Sequence, residues 1–133
     1  MLRTIGHVES SLTDFADAPR QPDEGAPEAT LVFEADVLEA LRGVEPGDEV
    51  LVLTWLDRAK RDVLTVHPRG DMNRPVQGVF STRAQHRPNP IGIHRTTIIA
   101  IDGPRVRVKQ LEALNGTPIV DLKPVLGEDV EER

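Results

Sequence analysis

The chain has 133 residues, which suits one domain with a single modest core. It contains no cysteine, and this excludes disulfide frameworks and thiolate-bound metal sites. Neither a long apolar run nor a signal-peptide pattern is present in the sequence, so we expect a cytoplasmic protein without a membrane span.

Charge is distributed unevenly along the chain. The formal net charge is -6, yet the segment from Arg58 to Arg95 holds eight Lys and Arg residues against two Asp residues, a local charge of +6. Such a basic stripe can bind phosphates locally, because salt screens charges that lie more than about 10 Å away. The alternative is a solvated arginine-rich surface, and charge alone does not decide between the two.

Short elements are predicted for the first half, since the chain has eleven prolines and ten glycines. Strands are predicted at Met1 to Val8, Thr30 to Phe33, Val50 to Leu56 and Arg61 to Val66. The third of these is almost wholly apolar and is predicted to be a central strand buried on both faces. Asp36 is a candidate N-cap for a short helix through Leu41. Residues 14–28, rich in Pro, Asp and Ala, are predicted to form a flexible loop.

The second half carries clearer turn signals. A strand is predicted at Val76 to Thr82, before a proline-rich loop. Hairpins are predicted around Asp102-Gly103-Pro104, between Thr96 to Ile101 and Arg105 to Leu111, and around Asn115-Gly116, between strands ending near Leu114 and running through Val120. Residues 127–133 read as a charged tail. Many short strands with at most one or two short helices predict a single, mainly β domain over residues 1–133, a compact closed sheet of antiparallel or mixed strands.

The most informative stretch is residues 78–92, which read GVFSTRAQHRPNPIG. Pro88 and Pro90 each fix a backbone φ and keep the preceding residue out of the helical region. The result is a stiff segment that presents Arg83, His86, Arg87 and Asn89. Rigidity of this kind suits a binding loop, and a purely structural crossover is the alternative.

This stretch resembles the signature of the TrmO family, also called TsaA-like or YaeB-like, whose members carry GVF-[AS]-TR followed shortly by RPNPIG. Residues 111–124, LEALNGTPIVDLKP, are similar to the GTP turn and DIKP pattern of the family. Weaker matches are Ile5-Gly6 and Arg20-Gln21-Pro22. The resemblance implies a single TsaA-like β-barrel domain, not a Rossmann sheet. It also implies a homodimer that binds S-adenosylmethionine and methylates N6 of threonylcarbamoyladenosine at position 37 of tRNA.

The resemblance also implies site residues. By matching position, the cofactor pocket would include Arg20, Gln21, Pro22, Asp57, Arg58, Arg83, Ile93, Glu112, Ala113, Leu114 and Asn115. If the substrate is tRNA, the basic stripe supplies its phosphate contacts through Arg58, Lys60, Arg61, Arg69 and Arg87. The chain departs from the family at Asn115, where an aspartate is expected, and at His94-Arg95, where a less charged pair is common.

Two residues are candidates for catalysis. An exocyclic adenine amine is a poor nucleophile, so an acceptor facing its N–H groups would localise the lone pair as the new bond forms. Asn89 is one such acceptor, and Asp121 is an alternative acceptor or base. Each has a structural alternative. Asn89 would then only brace its loop, and Asp121 would only cap backbone donors near the barrel end. Trp55 is either a core residue or a wall of the adenosyl pocket.

Three functions therefore stay open. The first is a methyltransferase acting on a tRNA adenine. The second is a methyltransferase of the same fold acting on a small molecule or peptide, and the third is a non-catalytic module that binds S-adenosylmethionine or RNA. The histidines lack the spacing of a metal site, so no metal is expected.

Overall fold

The structure is a computed structural model that describes residues 1–13 and 26–127. Its strands are β1 (Gly6–Glu9), β2 (Ala29–Phe33), β3 (Glu49–Trp55), β4 (Thr65–Val66), β5 (Gln77–Gly78), β6 (Ile91–Asp102), β7 (Arg105–Val108) and β8 (Pro118–Pro124). Short 3₁₀ segments are Ala35–Leu41, Pro68–Gly70 and Val79–Ser81. Most of the predicted loop at 14–28 and of the predicted tail at 127–133 lies outside the described residues.

Six strands form one antiparallel sheet in the order β1-β2-β7-β6-β3-β8. Because β8 also pairs with β1, the sheet closes on itself as a barrel. Strands β4 and β5 pair with each other in a separate two-stranded sheet. The predicted mainly β fold is confirmed, and each strand pairing described is antiparallel.

The barrel interior is filled by aliphatic side chains from every second strand position, as expected for strands with one inward face. Exposed fractions of 0 to 1% are found at Val8, Leu31, Val52, Ile98, Val106, Val108, Leu111 and Ile119. Strand β7 shows the pattern plainly, since Val106 and Val108 are buried while Arg105 and Arg107 are exposed. The sequence contains few aromatic residues, and the core is accordingly built from Val, Leu and Ile.

The prediction that the apolar third strand is buried on both faces is wrong. Strand β3 alternates: Val50, Val52 and Thr54 are buried, while Leu51 and Leu53 are half-buried. The closed sheet explains this, because a barrel strand has one face in the interior and one face outside.

Two predicted strands in the middle of the chain are largely wrong. Of Arg61 to Val66, only Thr65–Val66 is a strand, and Val76 to Thr82 is reduced to Gln77–Gly78 followed by a 3₁₀ turn. These pairs bond only to each other and not to the barrel. The side chain of Ser81 donates a hydrogen bond to the Gly78 carbonyl at 2.8 Å, which closes the turn.

The predicted helix exists as a 3₁₀ segment with a different first residue. Its N-cap is Glu34, and the cap makes no side-chain hydrogen bond. The predicted cap, Asp36, lies inside the segment and instead accepts two hydrogen bonds from Arg3 Nη2, both at 2.8 Å. A local signal suggested a cap, but a long-range ion pair engages the carboxylate.

The Asp-Gly-Pro hairpin is confirmed, since Asp102 pairs with Arg105 across the turn. Gly103 takes φ +56° there, a left-handed conformation that favours glycine. The following strand ends at Val108 rather than Leu111.

The second turn exists, but it does not join two strands. Gly116 has φ +85°, whereas residues 111–114 are irregular and form no strand. The turn is bonded to the first strand instead: the Gly116 N–H donates to the Val8 carbonyl at 2.6 Å. The Asn115 side chain accepts from the Ser10 N–H at 3.0 Å. Residues 111–114 are thereby placed over one end of the barrel.

The close approach of β1 and β2 can be tested by a substitution at Gly6. A Cβ at this position would collide with the Val32 carbonyl oxygen and lie 3.1 Å from Phe33 Cα. We therefore expect Gly6→Ala to lower the free energy of unfolding by about 1–3 kcal/mol in urea denaturation. Gly78→Ala is the matched control, because its Cβ would meet nothing closer than the Leu64 carbonyl oxygen at 4.0 Å. Equal unfolding midpoints for both variants and the wild type would contradict the β1–β2 geometry.

Candidate ligand-binding site

A pocket opens at one end of the barrel, where β3 ends and β6 begins. Four stretches line it: 56–58, 83–85 with 87, 91–95, and 112–114 with 117. The proline-stiffened stretch and the stretch before the Asn-Gly turn therefore share one hollow.

Two loops form one wall of the pocket and are bonded to each other. The Leu56 N–H donates to the Pro90 carbonyl at 2.8 Å, and the Arg87 N–H donates to the Lys60 carbonyl at 3.0 Å. The Lys60 N–H donates to His86 Nδ1 at 2.9 Å. Pro90 itself is fully buried. The proline-rich loop is thus fixed against the end of β3.

The side chain of Arg87 fixes the loop from within. Its Nη1 donates to the Thr82 and Ala84 carbonyls at 3.0 and 3.2 Å. Its guanidinium also lies 6.0 Å from the centre of the Phe80 ring. Since these bonds hold consecutive turns of the loop together, Arg87 has a structural role in addition to lining the pocket.

The floor of the pocket contains a buried polar chain. Thr54 Oγ1 lies 2.7 Å from His94 Nε2, and His94 Nδ1 lies 2.5 Å from Glu112 Oε1. Thr54 is 0% exposed, and the side chains of His94 and Glu112 are 6% and 12% exposed. Glu112 Oε2 is buried and has no hydrogen-bond partner among the described residues. His94 and Glu112 line the pocket.

Gly92 provides the space for this chain. A Cβ at residue 92 would lie 2.5 Å from Thr54 Oγ1 and 2.8 Å from His94 Nε2. Thr54 and Gly92 are direct partners in the β3–β6 ladder, and His94 lies two residues further along the same inward face. Any larger residue at 92 would therefore push the Thr54 hydroxyl and the imidazole apart.

The arginines of the pocket differ in how far their charges are already engaged. Arg58 donates to the Thr13 carbonyl at 2.9 Å, and Arg95 pairs with Glu49 at 3.0 Å. Arg87 is bonded to carbonyls as described above. The guanidinium of Arg83 makes no hydrogen bond or ion pair to another described residue, although it lines the same pocket. Arg83 is therefore the pocket arginine whose guanidinium no other described residue engages, and it suits an anionic ligand group.

Comparison with known proteins agrees with this architecture. The family model of the tRNA-methyltransferase O N-terminal domain matches residues 7–129. This chain belongs to the TrmO N-terminal domain family. A crystal structure of TrmO from Pseudomonas aeruginosa superposes with a TM-score of 0.75 at 29% identity, covering 100% of this chain and 60% of that one.

Sequence relatives of this TrmO-family chain carry cofactor-related names. A "probable S-adenosyl-L-methionine-binding protein" of Methanothermobacter thermautotrophicus is 39% identical over 130 residues, covering 98% of this chain and 92% of the relative. One of the same description from Archaeoglobus fulgidus is 40% identical over 123 residues, covering 92% of this chain. The chain spans only 33% of the Archaeoglobus protein.

Most of the cofactor residues implied by the TrmO resemblance and described in the structure lie together. The pocket is lined by Asp57, Arg58, Arg83, Ile93, Glu112, Ala113 and Leu114. Asn115 does not line it and is exposed, with its side chain bonded to Ser10. The predicted residues Arg20, Gln21 and Pro22 lie outside the described residues.

The two residues predicted to be catalytic do not line this pocket. Asn89 lies in a neighbouring groove with Trp55 and Ile91, and its Oδ1 accepts from Arg61 Nη2 at 2.9 Å. Asp121 pairs with Leu53 in the β3–β8 ladder. Its Oδ1 accepts from the Leu122 N–H at 2.9 Å, and its Oδ2 lies 3.2 Å from Lys123 Nζ. Both side chains thus make the structural contacts that were their alternative roles.

The basic residues predicted to contact phosphates lie near the pocket but are partly engaged. Arg58 and Arg87 line it. Arg61 Nε donates to the Pro88 carbonyl at 2.7 Å, and its guanidinium lies 5.3 Å from the centre of the Trp55 ring. Lys60 is exposed in the adjoining loop. Arg69 belongs to the 3₁₀ turn Pro68–Gly70, and its side chain is outside the described part.

Sequence reasoning missed two of the three residues in the buried polar chain at the pocket. Thr54 was absent from the predicted site, and His94 was noted only as a departure from the family. The available signal was the period-two alternation of β6, which puts Gly92, His94 and Thr96 on one inward face. The described residues contain no group of His, Cys, Asp and Glu that could hold a metal ion, and no helix long and apolar enough to cross a membrane.

Proposed function

We propose that the chain is an S-adenosylmethionine-dependent methyltransferase and that the pocket at the end of the barrel binds the cofactor. The observation that carries this proposal is the pairing, in one pocket, of a cation and a buried carboxylate oxygen that no other described residue engages. These groups are Arg83 on the rim and Glu112 Oε2 on the floor. Membership of the TrmO family and the names of the relatives support the same conclusion.

The pocket fits the chemistry of that cofactor. S-adenosylmethionine carries a carboxylate, an ammonium group, ribose hydroxyls and an adenine amine. The guanidinium of Arg83 suits the carboxylate, because arginine presents donors that match carboxylate geometry. Glu112 Oε2 suits one of the N–H or O–H donors. Apolar side chains of Ile91, Ile93 and Leu114 also line the pocket and suit the apolar surface of the ligand.

The residues of the chain act mainly by positioning. When bound, S-adenosylmethionine supplies a methyl group made electrophilic by its sulfonium. The carbon–sulfur bond breaks as the new bond to the acceptor forms, so holding donor and acceptor in line supplies much of the acceleration. Arg83 and Glu112 hold the donor, and Asn89 in the neighbouring groove can orient the acceptor. Ile91 lines both the pocket and that groove, which makes the two sites adjacent.

For the acceptor, we propose N6 of threonylcarbamoyladenosine in tRNA. The pocket rim carries Arg58 and Arg83, and Lys60 and Arg61 lie in the loops beside it. Cations in this arrangement suit phosphates flanking a base that enters the site. As the N–C bond forms, the N6 proton must leave, and Asp57 is the carboxylate exposed at the rim, whereas Asp121 is bonded elsewhere. Action on tRNA places the protein in the cytoplasm.

The first prediction concerns the cofactor. S-adenosylhomocysteine at 100 times its dissociation constant is expected to stabilise the wild type by about 2.7 kcal/mol, measured as a shift in thermal unfolding. Arg83→Ala removes the guanidinium and should reduce that shift. Arg42→Ala is the matched control, because Arg42 is an exposed arginine paired with Glu39 and does not line the pocket. Equal shifts for all three proteins would remove Arg83 from the site.

The second prediction concerns the acceptor. With labelled S-adenosylmethionine, label should enter tRNA that carries threonylcarbamoyladenosine and not tRNA that lacks it. Asn89→Ala should slow this transfer while leaving the affinity for S-adenosylhomocysteine unchanged, since Asn89 does not line the cofactor pocket. Label appearing in small molecules or peptides would establish the second candidate function. Cofactor binding with no transfer to any acceptor would establish a non-catalytic binding module.

We also propose that the chain is a homodimer. Ile91 and Ile93 point outward from β6 and are 41% and 38% exposed, and Trp55 on the adjacent strand β3 is half-buried. An apolar strip of this kind on a barrel surface suits a partner protein. Light scattering of the purified chain should give twice the monomer mass. A mass equal to one chain at micromolar concentration would refute the dimer.

A further inference from the structure

We infer that Thr54, His94 and Glu112 form a positioning relay: Thr54 orients His94, and His94 orients Glu112 so that its Oε2 accepts a hydrogen bond from the ligand. The inference rests on the proposed cofactor site and deepens it. It assigns a role to His94 and to Thr54, which does not itself line the pocket.

The geometry of the relay is set by two neighbouring strands. Thr54 on β3 and His94 on β6 lie on the same inward face, two residues apart in the ladder. Their side chains approach to 2.7 Å above Gly92, where no side chain intervenes. Glu112 reaches the other side of the imidazole from the segment over the barrel end, at 2.5 Å. The imidazole is therefore held on both nitrogens.

With Glu112 ionised and His94 neutral, the direction of both hydrogen bonds follows from the donors and acceptors of the three groups. An ionised carboxylate only accepts, so His94 Nδ1 carries the proton that is donated to Glu112 Oε1. In the neutral imidazole, Nε2 then carries a lone pair and accepts from the Thr54 hydroxyl. Partners of this kind orient functional histidines and carboxylates in many sites. The carboxylate thus selects the tautomer, and the Thr54 hydroxyl holds the imidazole in the orientation that bonds to Glu112.

The second oxygen of Glu112, Oε2, is the atom that would accept a hydrogen bond from the ligand. Oε2 is buried, faces no donor among the described residues, and belongs to a side chain that lines the pocket. A buried acceptor without a partner is costly, and a charged one more so. A ligand N–H or O–H satisfies it, and the relay keeps Oε2 in place by occupying Oε1. The donor is either the ammonium of the amino-acid end of the cofactor or a donor of its adenosine end.

Thr54→Val provides the sharpest test, because it removes the hydroxyl with little change in volume at a residue outside the pocket. We expect the dissociation constant of S-adenosylhomocysteine, measured by calorimetry, to rise about fivefold. Thr54→Ser keeps a hydroxyl and should restore affinity close to the wild type. The ¹⁵N resonances of the His94 imidazole should show a protonated Nδ1 in both proteins, and the Nε2 resonance should shift in Thr54→Val because Nε2 loses its hydrogen-bond donor.

Thr96→Val is the matched control for the loss of a buried hydroxyl. Thr96 is 4% exposed on the same face of β6, its Oγ1 accepts from the Gln110 N–H at 3.3 Å, and it does not line the pocket. Its affinity for S-adenosylhomocysteine should equal that of the wild type. Circular dichroism of each variant confirms that the barrel is folded before binding is compared.

Glu112→Gln identifies the donor. This substitution should weaken the binding of S-adenosylhomocysteine about tenfold, as expected for the loss of a hydrogen bond to a charged group. 5′-Methylthioadenosine lacks the amino-acid end of the cofactor. If Glu112→Gln weakens its binding equally, the donor is on the adenosine. If its binding is unchanged, the donor is the ammonium. Either result supports the relay.

Two results would overturn the inference in distinguishable ways. If the wild type binds S-adenosylhomocysteine and folded Thr54→Val binds it equally well with an unchanged His94 Nε2 resonance, the relay is wrong and the proposed function stands. If the wild type itself does not bind S-adenosylhomocysteine, the proposed function fails, and the relay, which is defined by that ligand, fails with it.

Discussion

The pairing of β3 with β6 is the constraint on which the pocket depends. Seven residue pairs align these strands, from Glu49 opposite Thr97 to Trp55 opposite Ile91. The register places Thr54 opposite Gly92 and within reach of His94. A slip of one residue would turn these side chains to the outside of the barrel. The loops that wall the pocket leave from the same end of this ladder, so their positions follow from the same register.

A closed barrel also explains how a histidine and a glutamate can be buried at the floor. Polar groups inside a sheet of this size are costly unless they bond to one another. The interior is aliphatic along most of its length, and Thr54, His94 and Glu112 collect at the open end. Glu112 Oε2 is then the buried side-chain oxygen that no described residue satisfies. We regard that oxygen as the point at which the ligand completes the structure.

Much of this architecture could be predicted from the sequence, because its signals are local. The alternation in β2 and β7 and the turn at Gly103 predict strands and a hairpin wherever they occur. Two prolines predict a stiff loop, and the family resemblance implied seven of the sixteen residues that line the pocket. The predictions that failed depend on contacts between distant parts of the chain. Whether Val50 to Leu56 has one buried face or two, and whether residues 111–114 pair, depends on closure of the sheet, which no short window contains.

The same limit applies to the contacts that the predicted site residues make. Asn89 and Asp121 have side chains suited to catalysis, yet Arg61 and the Leu122 N–H engage them, and both partners are known only once the loops and strands are placed. His94 and Thr54 are 40 residues apart in sequence and meet only through the ladder. Residue type suggests candidates, and register decides which of them meet.

A crystal structure of the chain with S-adenosylhomocysteine tests the central claim most directly. The account predicts the ligand in the pocket at the end of the barrel, with Arg83 and Glu112 Oε2 in hydrogen-bond contact with it and Thr54, His94 and Glu112 still in line. A ligand bound in the groove beside Asn89 instead, or bound with Glu112 Oε2 facing no ligand donor, would contradict it.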